Sequence, residues 1–489
     1  MSAGHRLFEN QSSVFLLLGV AAAILLVDLG AAELWTMEGR WAAVCMHMIR
    51  SGDYFHPYLF GNAYYDKPLL SYWLALACAR LLGGLDETAL RLPSALAGLL
   101  SVWCMYRLGA ARFDRATGLL AGFLLASCVM FVFWARVASA DMLNVAGTLA
   151  AVTWYFERRE RPRFLDYTVF FVLLGITGLM KGLIGPGVAL LAVMLDVARA
   201  GRWRTLLRPP LFVAAAIGLA FYFAPFAVSS LTKPPSYGES GLGMMLQENA
   251  VRYFEPFDHQ APVYVYLGVL PVYLLPWTLI LPFVVYGVAR RWAELSEASR
   301  WPIWTCVLIF CVLTASGSRR SYYILPIVPF AILMIADWLR SADANERLRT
   351  SVNWVAVGTL AGMLLWFGVV VPAGFRHGGE RVLARQVRDR AEREAPWGSW
   401  KVLICGAPPA AGYYFRTGPE PTVVPIEKVD TVAGLIERDP HTLVLTKRRF
   451  ADSVRSILPA AAMLEEPSRV PHFLRPRHGS DRDVIAFVP

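Results

Sequence analysis

One segment near the start of the chain, residues 33–73, combines charged and aromatic residues in a sequence that is otherwise mostly hydrophobic. Within it, residues 64–68 read Tyr-Tyr-Asp-Lys-Pro, so that a lysine stands beside a carboxylate and two aromatic rings. Ionisable residues near a membrane are costly and commonly functional. This group suits the binding of a phosphate at the edge of a bilayer. Alternatively, Lys67 is a surface lysine whose stem lies along lipid.

The composition excludes a soluble protein. Of the 489 residues, 56% are hydrophobic and 17% are charged, which is typical of a polytopic membrane protein. Apolar runs long enough to cross about 30 Å of hydrocarbon predict about eleven transmembrane helices. These runs lie near 13–32, 90–109, 116–136, 141–157, 165–181, 183–198, 209–229, 262–287, 302–316, 321–339 and 352–372.

Arginine residues are concentrated in alternate loops between the apolar runs. Arginine-rich loops remain on the cytoplasmic side of a membrane. The pattern predicts a cytoplasmic N-terminus and puts the loop 33–88, and everything beyond about residue 373, on the opposite side. It also accounts for the formal net charge of +10 without nucleic-acid binding. The clusters lie within 107–115, 158–163, 199–208, 290–300 and 340–349.

Two domains are predicted, a transmembrane domain over 1–375 and a small α/β domain over 376–489. The first outward loop, 33–88, has helical spacing that favours amphipathic helices, whereas a second outward loop, 231–261, is rich in turn-forming and charged residues. Beyond residue 375, short β-like runs alternate with helical patterns. The strands are expected at 401–405, 422–425, 442–445 and 483–488, and the helices near 410–415, 431–437 and 450–457. No phosphate loop or dinucleotide fingerprint is present there.

Several motifs occur together along the chain. They are Leu-Trp-Thr-Met-Glu-Gly-Arg-Trp-Ala at 34–42, Ser-Gly-Asp-Tyr at 51–54, Tyr-Asp-Lys-Pro at 65–68, Arg-Leu-Pro-Ser at 91–94, Arg136 with Asp141, Lys181-Gly182, His-Gln-Ala-Pro at 259–262, Leu-Pro-Trp at 275–277 and Tyr-Ile-Leu-Pro at 323–326. With this set the chain resembles the polytopic glycosyltransferases of the GT-C class, which include the lipid A aminoarabinose transferases and, more distantly, the protein O-mannosyltransferases. The resemblance covers about residues 10–340 and is specific as a set.

One position departs from the family pattern. The acidic motif of the family reads Asp-Glu, and its Asp is the favoured catalytic base, whereas here Met37 precedes Glu38. Glu38 could take over this role, as could Glu33 or Asp141. The resemblance therefore supports the reaction class better than any single base.

The resemblance implies a polyprenyl-phosphate sugar as donor, whose phosphate lies at the membrane surface while its tail stays in lipid. Cations at that depth would bind the phosphate and stabilise the charge that develops on it as the sugar leaves. Lys67 is the first candidate, and Arg319 is an alternative to its neighbour Arg320. The set predicted to bind the donor phosphate is Lys67, Arg40, Arg136, Arg320, Tyr65 and Tyr323.

A carboxylate would deprotonate the acceptor hydroxyl as it attacks the anomeric carbon, and direct displacement would invert that centre. Glu38 is the first candidate for this base and Asp141 the second. The alternatives are structural roles: an ion pair between Glu38 and Arg40, and capping of a helix by Asp141.

A divalent metal is a further possibility, because Asp66 and His259 occupy positions where relatives can place one. Two ligands are too few for a metal site. Asp66 as the partner of Lys67, and His259 as a hydrogen-bonding loop residue, is the preferred interpretation, and no cofactor is required.

The sequence thus predicts a GT-C-like, α-helical polytopic protein of a bacterial inner membrane, with its C-terminal α/β domain in the periplasm. It would transfer one sugar from a polyprenyl-phosphate donor to a glycolipid, polysaccharide or protein acceptor on the periplasmic side. The alternatives are a transporter or flippase of a lipid-linked substrate and an inactive binding relative. A transporter would place ionisable residues in mid-span and show related halves, but most charges here lie in outward loops.

Overall fold

The computed structural model describes residues 11–59, 61–65, 67–238, 241–246, 261–341, 344–376, 378–407, 409–465 and 484–489. The chain divides into two compact units. The first consists of Met1–Val27, Tyr65–Leu74 and Arg91–Leu364, and the second of Asp28–Tyr64, Ala75–Leu90 and Leu365–Pro489. This grouping differs from the predicted division at residue 375, since the second unit includes most of the first outward loop. The predicted domain boundaries stay a prediction.

The first unit is a bundle of apolar helices. Its α-helices are Gln11–Leu26, Glu87–Arg112, Arg115–Ala126, Val129–Ala135, Ala140–Arg158, Phe164–Lys181, Ile184–Arg199, Pro209–Leu231, Gly241–Leu246, Val265–Tyr273, Leu281–Arg290, Glu297–Ala315, Val328–Arg340 and Glu346–Leu365. Short 3₁₀ segments are Trp203–Leu207, Pro235–Tyr237, Trp277–Ile280, Trp292–Glu294 and Ser321–Ile327. The helix Leu70–Leu82 begins in this unit and continues into the second, whereas Glu87–Arg112 begins in the second unit and continues into the first.

Within the described residues, six helices are long and apolar enough to cross a membrane, and the number rises to eight if each of two bent pairs is one span. The bent pairs are Arg115–Ala126 with Val129–Ala135, at 70°, and Val265–Tyr273 with Trp277–Arg290, at 108°. A multi-pass membrane protein is therefore confirmed, and the count of eleven spans stays a prediction.

Small residues bring two central helices together. A Cβ atom at Gly147, on Ala140–Arg158, would clash with the side chain of Thr177, on Phe164–Lys181. Small residues at such contacts let helix backbones approach closely in a membrane. Ser139 caps the first of these helices, because its hydroxyl accepts a hydrogen bond from the Asp141 N–H at 3.3 Å. The two helices thereby fix the positions of Asp141 and Lys181.

The second unit contains a five-stranded sheet with helices on both faces. The strand order is Thr422–Val424, Lys401–Cys405, Thr442–Lys447, Val484–Val488 and Ala462–Leu464, the first three being parallel and the last two pairings antiparallel. The helix Glu380–Ala391 packs on one face, and Thr431–Arg438 and Ala451–Ile457 contribute to the core on the other. Further helical elements are Thr36–Ser51, Trp366–Val370, Val371–Phe375, Trp397–Ser399, Pro409–Tyr413, Ile426–Lys428 and Arg448–Phe450, and a small hairpin pairs Tyr58–Leu59 with Asn62–Ala63. The predicted C-terminal α/β fold is confirmed.

Within this unit, an ion pair and two hydrogen bonds join the loop 33–88 to the C-terminal segment. The backbone N–H of Arg381 donates to Glu33 at 2.7 Å, and its guanidinium pairs with Glu87 at 2.7 Å. The Leu34 N–H donates to the Tyr414 hydroxyl at 2.7 Å. Glu33, which the sequence offers as an alternative base, therefore accepts a hydrogen bond from the C-terminal segment.

The helix Thr36–Ser51 ends at Gly52, whose φ of 70° is the left-handed conformation that glycine favours. In the turn that follows, Asp53 accepts hydrogen bonds from the N–H groups of Phe55, at 2.9 Å, and His56, at 3.1 Å. Its second oxygen contacts the His56 ring at 2.7 Å. Partial burial opposes ionisation of Asp53, but these hydrogen bonds outweigh it and hold the pKa of the carboxyl below its usual value.

Protonation of Asp53 is expected to loosen this turn. Because the folded-state pKa lies below the usual value, the stabilisation is complete above about pH 4 and is lost as the pH falls through the folded-state pKa. Hydrogen exchange of the Phe55 and His56 amides should be several-fold faster in Asp53→Asn than in the intact protein at pH 6. This difference should shrink in acid. A difference that does not change with pH would contradict the assignment.

Candidate active site

A buried ion pair joins the ends of two neighbouring helices of the first unit. Asp141 lies in the first turn of Ala140–Arg158, and Lys181 is the last residue of Phe164–Lys181. The Lys181 ammonium donates to Asp141 Oδ1, and the two side chains are only 6% and 5% exposed. Removing one partner of such a pair leaves an uncompensated buried charge. Each charge of the pair therefore depends on the other for its stability in the folded protein.

Aromatic rings and further cations surround Lys181. Its Nζ lies 5.1 Å from the ring centre of Tyr322 and 4.8 Å from that of Tyr323, in the range of cation–π interactions. Arg320 donates to the Tyr322 hydroxyl at 2.6 Å. Lys67 and Arg320 are both close enough to repel the Lys181 ammonium electrostatically. We call Lys67, Asp141, Lys181, Arg320 and the two tyrosines the cationic cluster.

The described residues of the cationic cluster carry a net positive charge. Lys67, Lys181 and Arg320 supply three cations, and Asp141 is the carboxylate that the structure pairs with Lys181. Guanidinium and ammonium groups held at a shared site are the usual receptors of phosphate. The cluster can therefore bind a phosphate and stabilise charge that develops on it.

A second layer of aromatic residues supports the cluster. The Trp134 ring centre lies 5.1 Å from that of Tyr322, and its Nε1 donates to the Tyr273 hydroxyl at 2.9 Å. Tyr65 is buried against Phe226, with ring centres 5.8 Å apart. Tyr65 thus belongs to the same unit as the cationic cluster, and its phosphate role stays a prediction.

Arg136 has a structural position at the end of the first helix. Its guanidinium is buried and donates to the carbonyl oxygens of Ile24 at 2.7 Å, Leu25 at 3.0 Å and Val27 at 2.7 Å. The last carbonyls of a helix have no intrahelical donor, and a cation favours the negative end of the helix dipole. Arg136 is therefore the C-terminal cap of Gln11–Leu26. Its predicted contact with the donor phosphate stays a prediction.

Replacing Arg136 by glutamine is expected to destabilise the first unit by about 2–4 kcal/mol, because three carbonyl groups lose charged donors. The thermal midpoint should fall, while the affinity of the remaining folded protein for a polyprenyl phosphate should change less than twofold. A large loss of affinity at unchanged stability would instead make Arg136 a phosphate ligand.

Glu38 and Arg40 lie in the second unit, on the helix Thr36–Ser51. Glu38 is buried, and its Oε2 accepts a hydrogen bond from the Trp35 N–H at 2.7 Å, as in one half of a capping box. Arg40 donates to the Tyr64 hydroxyl at 3.3 Å. The carboxylate is thereby held by its own helix terminus. The catalytic role of Glu38 and the phosphate role of Arg40 stay predictions.

The predicted metal ligands, Asp66 and His259, lie outside the described residues. Across the part of the chain that the structure describes, there is no group of three or more His, Cys, Asp or Glu side chains that could hold a metal ion. The divalent metal stays a prediction.

Lys181 and Tyr322 are the residues of the cluster that the sequence does not assign to the site. Lys181 appears in the sequence only as part of a motif. Two signals point to it: it ends an apolar helix, and the topology puts it on the same side of the membrane as Asp141. Which ionisable residue it contacts depends on helix packing, which the sequence pattern does not specify.

Comparison with known proteins gives related membrane enzymes. The sequence model of the dolichyl-phosphate-mannose-protein mannosyltransferase family matches residues 66–228. The undecaprenyl phosphate-alpha-4-amino-4-deoxy-L-arabinose arabinosyl transferase of Erwinia tasmaniensis is 25% identical over 72% of this chain and 64% of its own length. The enzyme of that name from Aeromonas salmonicida is 28% identical over 64% of this chain and 57% of its own. The match thus spans less than two thirds of either relative.

The fold is also that of a solved transferase. The crystal structure of ArnT from Cupriavidus metallidurans bound to undecaprenyl phosphate superposes with a TM-score of 0.73 and 16% sequence identity, covering 97% of each chain. The fold is therefore that of the GT-C glycosyltransferases, and the predicted fold class is confirmed. The predicted resemblance to the aminoarabinose transferases is confirmed as well.

Proposed function

We propose that this chain is an integral-membrane glycosyltransferase that moves a single sugar from a polyprenyl-phosphate donor to an acceptor. The observation that carries the proposal is the cationic cluster, in which Lys181 pairs with Asp141 at the ends of two membrane helices and the cations Lys67 and Arg320 act on the Lys181 ammonium. The names of the relatives support it, since they specify arabinosyl transfer from an undecaprenyl-phosphate sugar. The ArnT structure of the same fold holds undecaprenyl phosphate.

The cluster would act on the leaving group. As the bond between the anomeric carbon and the phosphate oxygen breaks, its electron pair stays on that oxygen, and the phosphate gains negative charge. Lys67, Lys181 and Arg320 would stabilise this charge more strongly in the transition state than in the bound donor, which is the requirement for faster reaction. Asp141 would hold the Lys181 ammonium in place through their ion pair. Tyr322 and Tyr323 would hold the Lys181 ammonium from its other sides.

Glu38 is our first candidate for the general base. It would accept the proton of the acceptor hydroxyl as the oxygen attacks the anomeric carbon from the side opposite the phosphate, and the configuration would invert. Its hydrogen bond to the Trp35 N–H supports this assignment, because it fixes the orientation of the carboxylate. Asp141 is the second candidate, although one of its oxygens is engaged by Lys181.

The reaction would take place on the periplasmic side of a bacterial inner membrane. An arginine-rich loop supports this orientation, since the segment 158–163 joins the two helix ends opposite Asp141 and Lys181. The acceptor would be lipid A or another glycolipid, a polysaccharide or a protein.

Transfer from radiolabelled polyprenyl-phosphate sugars tests the proposal in membranes that contain the intact protein, Glu38→Gln or Lys67→Ala at matched expression. We expect transfer by the intact protein and its loss in both variants. Arg161→Gln is the control, because Arg161 is exposed in an arginine-rich loop. Failure of the intact protein to transfer any sugar of a broad donor panel would favour a transporter or an inactive binding relative.

A further inference from the structure

A second charged site lies in the first unit, at the opposite end of the helix that begins with Asp141. Four arginines, Arg112, Arg159, Arg199 and Arg202, line a cleft of about 370 Å³ together with three carboxylates, Glu160, Asp196 and Glu297. The helix Ala140–Arg158 leads from Asp141 to Arg159 and has 19 residues, so the cleft is about 27 Å from the cationic cluster. Its volume suits a headgroup rather than a prenyl chain.

Positive charge is in excess around the buried carboxylate of this cleft. Asp196 contacts Arg159 at 2.6 Å and Arg202 at 2.6 Å. Arg112 approaches the same carboxylate at 3.5 Å. This buried carboxylate is therefore shared by three guanidinium groups. The exposed Glu160 also approaches Arg159, at 3.3 Å, and Arg202, at 3.6 Å, so the four arginines of the cleft face three carboxylates. By contrast, Arg199 and Glu297 form a bidentate pair, at 2.7 and 2.9 Å, that balances its own charge.

Arg112 has a buried donor without an acceptor in the described part of the chain. Its side chain is 7% exposed and lies over the rings of Phe156, at 5.2 Å, and Trp301, at 5.6 Å. Its Nη2 donates to the Glu297 carbonyl at 2.8 Å, but its buried Nε has no hydrogen-bond partner. Buried N–H groups are nearly always paired, so this donor at the cleft indicates a missing acceptor.

The surroundings of the cleft favour a lipid as the source of that acceptor. Directly after Arg202, the segment Trp203–Leu207 leaves Trp203 52% and Leu207 74% exposed. Exposed tryptophan and leucine beside arginines are typical of a segment at the membrane surface. We infer that the cleft binds the phosphate of an anionic lipid headgroup, at the end of the bundle opposite the cationic cluster. This inference does not depend on the proposed transferase activity.

Thermal unfolding of the purified full-length protein in neutral detergent tests the inference. The probes are dihexanoyl phosphatidic acid, dihexanoyl phosphatidylcholine and inorganic phosphate, and each midpoint is compared with that of the same variant without ligand. Phosphatidic acid should raise the midpoint of the intact protein, and phosphatidylcholine should not. In Arg112→Gln and in the more exposed Arg159→Gln, the apparent affinity should fall by about tenfold. Arg161→Gln, which changes an exposed arginine near the cleft, should behave as the intact protein.

Lys67→Ala separates this cleft from the cationic cluster, and its response to phosphatidic acid should be retained. Loss of the response in Lys67→Ala, or an equal response in Arg112→Gln and Arg159→Gln, would overturn the inference. An equal response to inorganic phosphate would overturn the lipid source. If Arg112→Gln does not fold, Arg159→Gln decides the result.

Discussion

Replacing Lys181 by methionine is expected to reduce sugar transfer by about 10²–10³-fold and to lower the free energy of unfolding by about 3–5 kcal/mol. The rate should fall because a cation that we propose to stabilise the leaving phosphate is lost. The stability should fall because Asp141, which is 5% exposed, becomes an unpaired buried charge. Transfer rates per folded protein and unfolding in a denaturing detergent measure the two effects separately.

The double variant Asp141→Asn, Lys181→Met distinguishes catalysis from structure. It removes both charges, so most of the lost stability should return, while transfer should stay low. Recovery of transfer together with stability would show that the pair has only a structural role, and the cationic cluster would lose its central member.

Lys67→Ala and Glu38→Gln are expected to impair different steps. Loss of a charge-assisted contact with the phosphate should raise the donor Kd by about 10–100-fold in Lys67→Ala. Loss of the base should reduce kcat by about 10²–10⁴-fold in Glu38→Gln and leave the donor Kd unchanged. Single-turnover transfer and equilibrium binding of an undecaprenyl phosphate give the two quantities.

Glu38→Gln is a suitable variant because glutamine can still accept the hydrogen bond from the Trp35 N–H, so the helix terminus is preserved. Glu38→Ala removes both the base and this hydrogen bond, and it should also be less stable by about 1 kcal/mol. If Glu38→Gln transfers sugar at the intact rate, the base is another residue, and Asp141→Asn becomes the next variant.

Much of the fold follows from sequence pattern. The long apolar runs predict membrane helices because hydrocarbon requires them, and the short β-like runs beyond residue 400 match strands of the C-terminal sheet. The grouping of Asp28–Tyr64 with the C-terminal segment is not predictable in this way. It depends on contacts between residues more than 300 positions apart, such as the hydrogen bond from the Arg381 N–H to Glu33 in the second unit.

The candidate site is predictable only in part. Lys67, Asp141 and Arg320 are visible in the sequence as charged residues near outward ends of apolar runs. The pairing of Asp141 with Lys181 depends on the close packing of two helices at Gly147 and Thr177. The periodicity of a sequence does not show which helix packs against which. Arg136 is the opposite case. Its position in a motif predicts contact with the donor phosphate, whereas in the structure its guanidinium caps a helix through three carbonyl groups.

A structure of the intact protein with bound undecaprenyl phosphate would test the central claim most directly. We predict that the phosphate lies within hydrogen-bond reach of Lys67 and Arg320 and beside the Asp141–Lys181 pair, with the prenyl chain leading from it into lipid. A phosphate bound away from these residues, for example in the arginine-lined cleft at Arg112, would contradict the assignment of the cationic cluster as the donor site.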